Sequence, residues 1–146
     1  MPFVNVWIHV VFSTKKREPI LRSAIRPLIF QHILTYNREK EIYIDSINGY
    51  TDHVHLLVSL KSTQTIADVM KAIKGESSNW INKQQIIEGD FRWQNDYFAV
   101  SVSQSHLERV RRYIFGQEDH HSQQSYYEEM AKFGEHYGAP MHWPSD

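Results

Sequence analysis

The sequence predicts an α+β protein with a ferredoxin-like split βαβ arrangement, in which two helices cover one face of an antiparallel sheet. A C-terminal helix is predicted in addition to this core. Short runs of alternating apolar residues indicate strands, and longer runs with apolar residues at helical spacing indicate helices. These runs follow one another as strand, helix, strand, strand, helix, strand. The 146 residues suit a single domain, 1–146, with its own core.

The first half of the chain supplies three of the strands and one helix. Residues 4–12 alternate, which predicts a half-buried strand. Apolar residues at helical spacing predict a helix over residues 25–36, with Ser23 as its cap and Pro27 in its first turn. Residues 41–50 predict the second strand, and Asn48 and Gly49 mark a turn or bulge before the third strand.

The second half supplies the remaining elements. Thr65 opens a helix that Gly75 is expected to weaken, and a strand is predicted over residues 97–102. Ser105 and Glu108 form a predicted capping box for a helix that runs through Tyr113. One more short helix is predicted over residues 126–136.

Composition excludes several classes of protein. The chain has no cysteine, which excludes disulfides, thiolate zinc sites and a cysteine nucleophile. No apolar run reaches the ~18 residues of a membrane helix, and the start lacks a signal-peptide pattern, so a cytoplasmic protein is predicted. The net charge of −1 argues against a nonspecific nucleic-acid binder, so any nucleic-acid surface must be local.

The third strand carries two histidines two residues apart. Alternate side chains of a strand share a face, so His53 and His55 project together while Val54 points into the core. Two imidazoles at this spacing can converge on one divalent ion. A structural role for such a pair remains open when it is considered alone.

A second cluster, far downstream, complements the histidine pair. Tyr113 and Gln117 are spaced i and i+4 and share a face if the helix continues past Gly116. With the Gln117 amide oxygen, the imidazoles make a mixed site suited to Mg²⁺ or Mn²⁺. A phenol with a pKa of about 10 becomes a useful phosphoryl nucleophile when a metal polarises the phosphate. When each residue is considered alone, two other interpretations stay open. Tyr113 could be a half-buried aromatic of an amphipathic helix, and Gln117 a solvent-facing polar residue.

Five segments together resemble the one-tyrosine HUH transposases, which include small insertion-sequence transposases and REP-associated tyrosine transposases. The resemblance runs from about residue 7 to residue 121, in the family's order and spacing. The segments are 7–15 (WIHVVFSTK), 52–58 (DHVHLLV), 74–78 (KGESS), 93–103 (WQNDYFAVSVS) and 113–121 (YIFGQEDHH).

The resemblance implies a role for each matching residue. His53 and His55 correspond to the metal-binding histidines, Tyr113 to the catalytic nucleophile and Gln117 to the third metal ligand. The implied enzyme uses Mg²⁺ or Mn²⁺ to cut single-stranded DNA beside a hairpin, forming a 5′-phosphotyrosine and a free 3′-OH. It also implies a homodimer whose active site can be shared between subunits.

The match departs from the family's usual pattern at Gly116, where a helix-tolerant residue such as Asn is common. Glycine could end the helix there and take Gln117 off the face shared with Tyr113. His120 and His121 match a recurrent pair of the family and are interpreted as surface residues.

Basic residues are candidates for DNA binding. Arg109, Arg111 and Arg112 precede Tyr113, where they could hold phosphates near the scissile bond. Lys71 and Lys74 could grip a hairpin stem. Another basic run contains Lys15 and Arg17. Core packing is favoured over base stacking for three aromatic side chains: Trp7, Trp80 and Trp93.

Two alternatives belong to other functional classes. The first is a domesticated DNA-hairpin-binding protein that keeps the fold without transposition activity. The intact histidine pair and Tyr113 argue against it, because a pure binder needs none of them. The second is a plain ferredoxin-like domain with incidental histidines, which fails to explain five matching segments in order.

Overall fold

The computed structural model of the chain describes residues 2–117 together with Glu128, Glu129 and Lys132. Two 3₁₀ turns, Lys15–Arg17 and Gln104–His106, accompany the main elements. These elements are, in chain order, β1 (Val6–Ser13), α1 (Arg26–Glu39), β2 (Tyr43–Gly49), β3 (His53–Leu60), α2 (Ile66–Lys83), β4 (Phe98–Val102) and α3 (Leu107–Phe115). The predicted order of strands and helices is confirmed.

The four strands form one antiparallel sheet with the order β2-β3-β1-β4. This is the ferredoxin-like arrangement predicted from the sequence. Alternate residues of β1 and β3, such as Val10 and Leu56, pack with α1 and α2 on one face. On the opposite face, α3 packs on the sheet through a smaller cluster: Leu57, Val102, Leu107, Val110 and Ile114. The central strand β3 is therefore covered on both sides.

The register of the sheet sets the surroundings of the histidine pair. Ser13 of β1 lies opposite His53, and Val11 lies opposite His55. Because side chains alternate, His53, His55 and Leu57 all point to the α3 face. The histidines therefore lie between the sheet and the helix that carries Tyr113.

The connection between β2 and β3 is short and held by backbone hydrogen bonds. The Thr14 amide donates to the Asp52 carbonyl and the Leu21 amide to the Thr51 carbonyl, both at 2.8 Å. Gly49 is the last residue of β2 and pairs with Val54, so the turn follows it at residues 50–52. The register irregularity of β2 lies further back, between Ile44 and Ser46.

Two predicted helix caps are wrong. The N-cap position of α1 is Ile25, without a side-chain cap, although Pro27 does lie in the first turn. An added 3₁₀ turn takes up Ser105, so α3 begins after His106, again without a side-chain cap. Glu108 instead pairs with Arg111 at 3.2 Å.

The start of α2 follows the sequence prediction. The Thr65 hydroxyl accepts a hydrogen bond from the Asp68 amide at 3.1 Å. The helix continues through Gly75, because buried Ile73, Ser77 and Ile81 tie its inner face to the core. Within the described residues, no helix has the length and apolar character needed to cross a membrane.

Candidate active site

The two histidines at the start of β3 are fully buried, and a neighbour engages one nitrogen of each ring. His53 Nδ1 lies 2.7 Å from an Asp52 carboxylate oxygen. His55 Nδ1 lies 2.9 Å from Nε2 of His9, a buried residue of β1. In both rings the nitrogen left to face the site is Nε2. Such outer partners are typical of metal-binding histidines, because they fix the ring orientation.

Gln117 reaches the histidine pair although α3 ends before it. Gly116 is the C-cap, with its amide hydrogen-bonded to the Arg112 carbonyl at 3.1 Å. The Gln117 side chain is nevertheless fully buried. Its Nε2 donates to the Tyr113 carbonyl and its Oε1 lies 3.3 Å from His53 Nε2, as the i, i+4 spacing predicts.

Sequence reasoning missed Glu129, which the structure brings to the same point. One carboxylate oxygen of Glu129 lies 2.6 Å from His55 Nε2. Ligand atoms of His53, His55 and Glu129 all lie within 4.8 Å of one another. Glu129 falls in the predicted helix over residues 126–136, most of which lies outside the described residues. The sequence offered two adjacent acids, Glu128 and Glu129, as possible ligands. They lie far from the histidines along the chain, and no sequence pattern indicates a contact between them.

This donor set fits a divalent cation. It contains two imidazole nitrogens, one amide oxygen and one carboxylate oxygen, all buried. A carboxylate is costly to bury unless a cation or hydrogen-bond donors compensate it. Mixed nitrogen and oxygen ligands accommodate Mn²⁺, and oxygen ligands with water suit Mg²⁺. The buried Glu129 carboxylate beside two imidazoles therefore favours a metal centre.

Tyr113 lies beside the same histidines in the same chain. Its ring packs edge-on against His55, with centroids 5.6 Å apart, and against His9 at 6.1 Å. Its hydroxyl oxygen is buried. The α3 helix thus brings the predicted nucleophile to the histidine pair, and the two residues that follow the helix bring the predicted third ligand there.

His9 has an unusual electrostatic environment. Burial and the nearby His55 lower the pKa of His9 well below its ordinary value, and the Glu129 carboxylate only partly opposes this effect. A low pKa keeps an imidazole neutral, with one donor and one acceptor nitrogen.

One group of predicted DNA-binding residues lies near an open cleft of about 960 Å³ between α1 and α3. Arg111 and Arg112 line this cleft. The Arg111 guanidinium also bonds both carboxylate oxygens of Asp45, at 2.9 and 3.1 Å. Arg109 is exposed on α3.

The other group surrounds a cleft of about 600 Å³ between α2 and residues 90–97. Lys71, which lines it, is exposed. The Lys74 ammonium donates to three loop carbonyls, those of Gln94, Asn95 and Asp96. Burial lowers the pKa of Lys74 to about 8. Lys74 therefore fastens this loop to α2.

Three further predictions concern residues away from the histidine pair. Lys15 and Arg17 lie in the 3₁₀ turn after β1. Trp93 is buried in the main core, while Trp7 and Trp80 are partly buried against apolar clusters, consistent with packing roles. His120 and His121 lie outside the described residues.

The fold and the buried site agree with the class of protein that sequence comparison identifies, a transposase of the IS200-like type. The sequence model of the family described as "Transposase IS200 like" matches residues 2–117, so the chain belongs to that family. The predicted resemblance to small one-tyrosine transposases is confirmed.

Individual relatives agree with this assignment. The ISDra2 transposase TnpA of Deinococcus radiodurans is 26% identical over 116 residues, covering 76% of this chain and 83% of that protein. The fold resembles a transposase crystal structure from D. radiodurans R1, with a TM-score of 0.62, 22% identity and coverage of 80% and 93% of the two chains. It also resembles a REP-associated tyrosine transposase bound to a REP hairpin, with a TM-score of 0.63, 12% identity and coverage of 100% and 89%.

Proposed function

We propose that the chain is a metal-dependent single-strand DNA endonuclease and strand transferase that forms a covalent 5′-phosphotyrosine at hairpin-flanked sites. The observation that carries this proposal is the placement of Tyr113 beside the buried His53–His55 pair. A nucleophile beside a candidate metal centre matches the needs of phosphoryl transfer.

In the proposed reaction, the Tyr113 phenol oxygen attacks the scissile phosphorus. A bond forms between that oxygen and phosphorus, and the bond from phosphorus to the 3′ oxygen breaks. The phenol gives up its proton and the departing 3′ oxygen gains one, so the step is proton-neutral overall. The phosphodiester energy is kept in the tyrosyl link, and a later attack by a 3′-OH rejoins a strand by the reverse step.

The residues proposed to hold the metal are His53 and His55 through Nε2 and Gln117 through Oε1, with Glu129 as a further ligand. A bound Mg²⁺ or Mn²⁺ supplies charge stabilisation to the phosphate oxygens and the leaving oxygen. The chain's own part is to exclude water and to orient the phenol. Packing of the Tyr113 ring against His55 and His9 restricts its direction.

A hairpin is the proposed DNA partner. The REP-associated transposase bound to a REP hairpin supports this choice by analogy. Exposed cations suited to phosphates are Lys15, Lys71, Arg109 and Arg112, with the partly exposed Arg17 and Arg111 beside them. The Lys74 ammonium would contact DNA only if a phosphate replaced one of the loop carbonyls as its hydrogen-bond acceptor.

We infer that one chain supplies both the tyrosine and the metal ligands, since Tyr113 and Gln117 contact the histidines of their own chain. This arrangement differs from the site shared between subunits that the family resemblance implies, whereas the homodimer itself stays a prediction.

The experiment is a cleavage assay on labelled single-stranded DNA carrying imperfect hairpins, with Mn²⁺ or with EDTA. Cleavage is expected only with metal and is lost in His53→Ala and His55→Ala. His32→Ala is the matched control, because His32 is stacked on Trp80 on the helical layer. Tight hairpin binding without metal-dependent cleavage would favour the domesticated binder. Cleavage that survives in both histidine variants would overturn the proposal.

A further inference from the structure

Among the described residues, His9 is a buried histidine whose contact with the Tyr113 ring is its only role in the chemistry proposed above. It lies on β1, fully buried, and its Nε2 faces Nδ1 of His55 at 2.9 Å. The two rings are 5.1 Å apart between centroids and tilted by 37°. The contact joins β1 to β3 across the sheet, on the face that α3 covers.

A histidine can bind a metal through either nitrogen, and an outer hydrogen bond decides which one. For His53 this partner is the Asp52 carboxylate, which accepts from Nδ1 and leaves the Nε2 lone pair for a ligand. Asp52 directly precedes His53, in the turn before β3, whereas Nδ1 of His55 faces the His9 ring. His9 occupies the equivalent place beside His55.

We propose that His9 is a positioning residue. Its Nε2 holds Nδ1 of the His55 ring, so that Nε2 of His55 faces the metal. When a metal binds at Nε2, the His55 proton must lie on Nδ1, and His9 accepts it through its own Nε2. His9 is then neutral, with its proton on Nδ1. This inference rests on the metal site of the proposed function.

Packing alone predicts something different. If His9 only filled space, a phenylalanine of similar shape would keep both the fold and the affinity for metal. If His9 holds the His55 ring, its replacement must place a hydrogen-bond acceptor where Nε2 of His9 lies. The Gln amide reaches that position, while the shorter Asn amide reaches only the Nδ1 position, so the two variants discriminate between the roles.

The test is Mn²⁺ titration by calorimetry of the full chain and three variants, His9→Phe, His9→Gln and His9→Asn, after thermal melts establish folding. Loss of an outer partner weakens metal binding by about 10- to 100-fold. We expect this loss in His9→Phe and His9→Asn, with substantial recovery in His9→Gln. The control, His32→Phe, removes a histidine outside the site and should bind Mn²⁺ as the wild type does.

A second measurement needs no catalysis and no variant. In histidine-labelled wild-type protein saturated with Mg²⁺, the nitrogen NMR shifts of His55 should show the proton on Nδ1, and those of His9 a neutral ring. A proton on His55 Nε2 under these conditions would overturn the positioning role. So would a folded His9→Phe protein with wild-type Mn²⁺ affinity. Wild-type protein without any Mn²⁺ binding would instead overturn the metal site of the proposed function, and the positioning role with it.

Discussion

At the scale of single residues, two oxygen donors approach the histidine pair from different parts of the chain. Gln117 brings a neutral amide oxygen to 3.3 Å from His53. Glu129 brings a carboxylate oxygen to 2.6 Å from His55. In a buried site a full charge interacts more strongly with a divalent ion than an amide dipole does. Glu129 should therefore contribute more to metal affinity than Gln117.

We expect Gln117→Ala to weaken Mn²⁺ binding by about tenfold, which corresponds to about 1.4 kcal/mol. Glu129→Gln keeps the side-chain shape but removes its charge, and should weaken binding further. Calorimetric titration with Mn²⁺ measures both effects. Glu128→Gln is the control, because Glu128 is exposed and adjacent to Glu129. Wild-type affinity in Gln117→Ala would remove that residue from the ligand set.

The sequence allowed part of this site to be predicted. His53, His55, Tyr113 and Gln117 lie at spacings that a strand or one helical turn places on a single face. The contacts of His9 and Glu129 could not be found in this way, because they depend on strand register and on how distant segments pack.

At the scale of elements, the β2–β3 hairpin determines the position of His53, the first residue of β3. A Cβ added at Gly49 would lie 2.1 Å from the carbonyl oxygen of His53, so a side chain there must push the strands apart. Gly75, inside α2, has open space around its position.

Gly49→Ala should therefore destabilise the protein by about 1–3 kcal/mol, as overpacking typically does. Gly75→Ala should stabilise it by about 0.5–1 kcal/mol, because alanine favours the helix. Urea unfolding of the two variants measures both values against the wild type. Equal stability of Gly49→Ala and wild type would contradict the close approach of the strands.

Asp45 ties β2 to α3 through Arg111. Although burial alone would raise the pKa of Asp45, the hydrogen bonds from Arg111 and Ser46 hold it below its ordinary value. A carboxyl with a depressed pKa stabilises the folded state above its unfolded pKa of about 4 and loses this effect as the pH falls through the folded pKa.

Asp45→Asn should thus lower the free energy of unfolding at pH 7 by about 1 kcal/mol or less, since the pair is partly solvent-screened. The difference from wild type should shrink below about pH 4. Urea unfolding of both proteins at several pH values measures this difference in the free energy of unfolding. A difference that stays constant down to pH 2 would show that charge is not its cause.

The element boundaries show what sequence patterns miss. The sequence predicts that Thr65 opens a helix, and Thr65 caps α2 through a local hydrogen bond from the Asp68 amide. Ser23 and Ser105 fit the same local rule, yet α1 starts at Arg26 and a 3₁₀ turn takes up Ser105. Both helices begin at a buried residue, Arg26 or Leu107, whose tertiary contacts the local capping rule does not include.

At the scale of the whole molecule, the fold followed from the order of elements because only a few sheet arrangements bury all their apolar faces. Which chain supplies the tyrosine is a separate question, since a helix can in principle serve a neighbouring subunit. In this structure Tyr113 packs on His55 of its own chain.

We expect no recovery of activity when His53→Ala protein is mixed with Tyr113→Phe protein, because each chain lacks one part of its own site. If sites were shared, the mixture would contain some intact sites, and cleavage of labelled hairpin DNA would return. Sedimentation of the wild type beside this assay tests the predicted homodimer separately.

The central claim is that Tyr113 forms a covalent link to DNA with the help of a metal. The most direct measurement is a denaturing gel of the protein with labelled single-stranded hairpin DNA and Mn²⁺, followed by mass spectrometry of the adduct. We predict a slow-migrating species that carries DNA on Tyr113, disappears with EDTA and is absent from Tyr113→Phe, which still binds the hairpin. An adduct that persists in Tyr113→Phe, or that maps to another residue, would contradict the account.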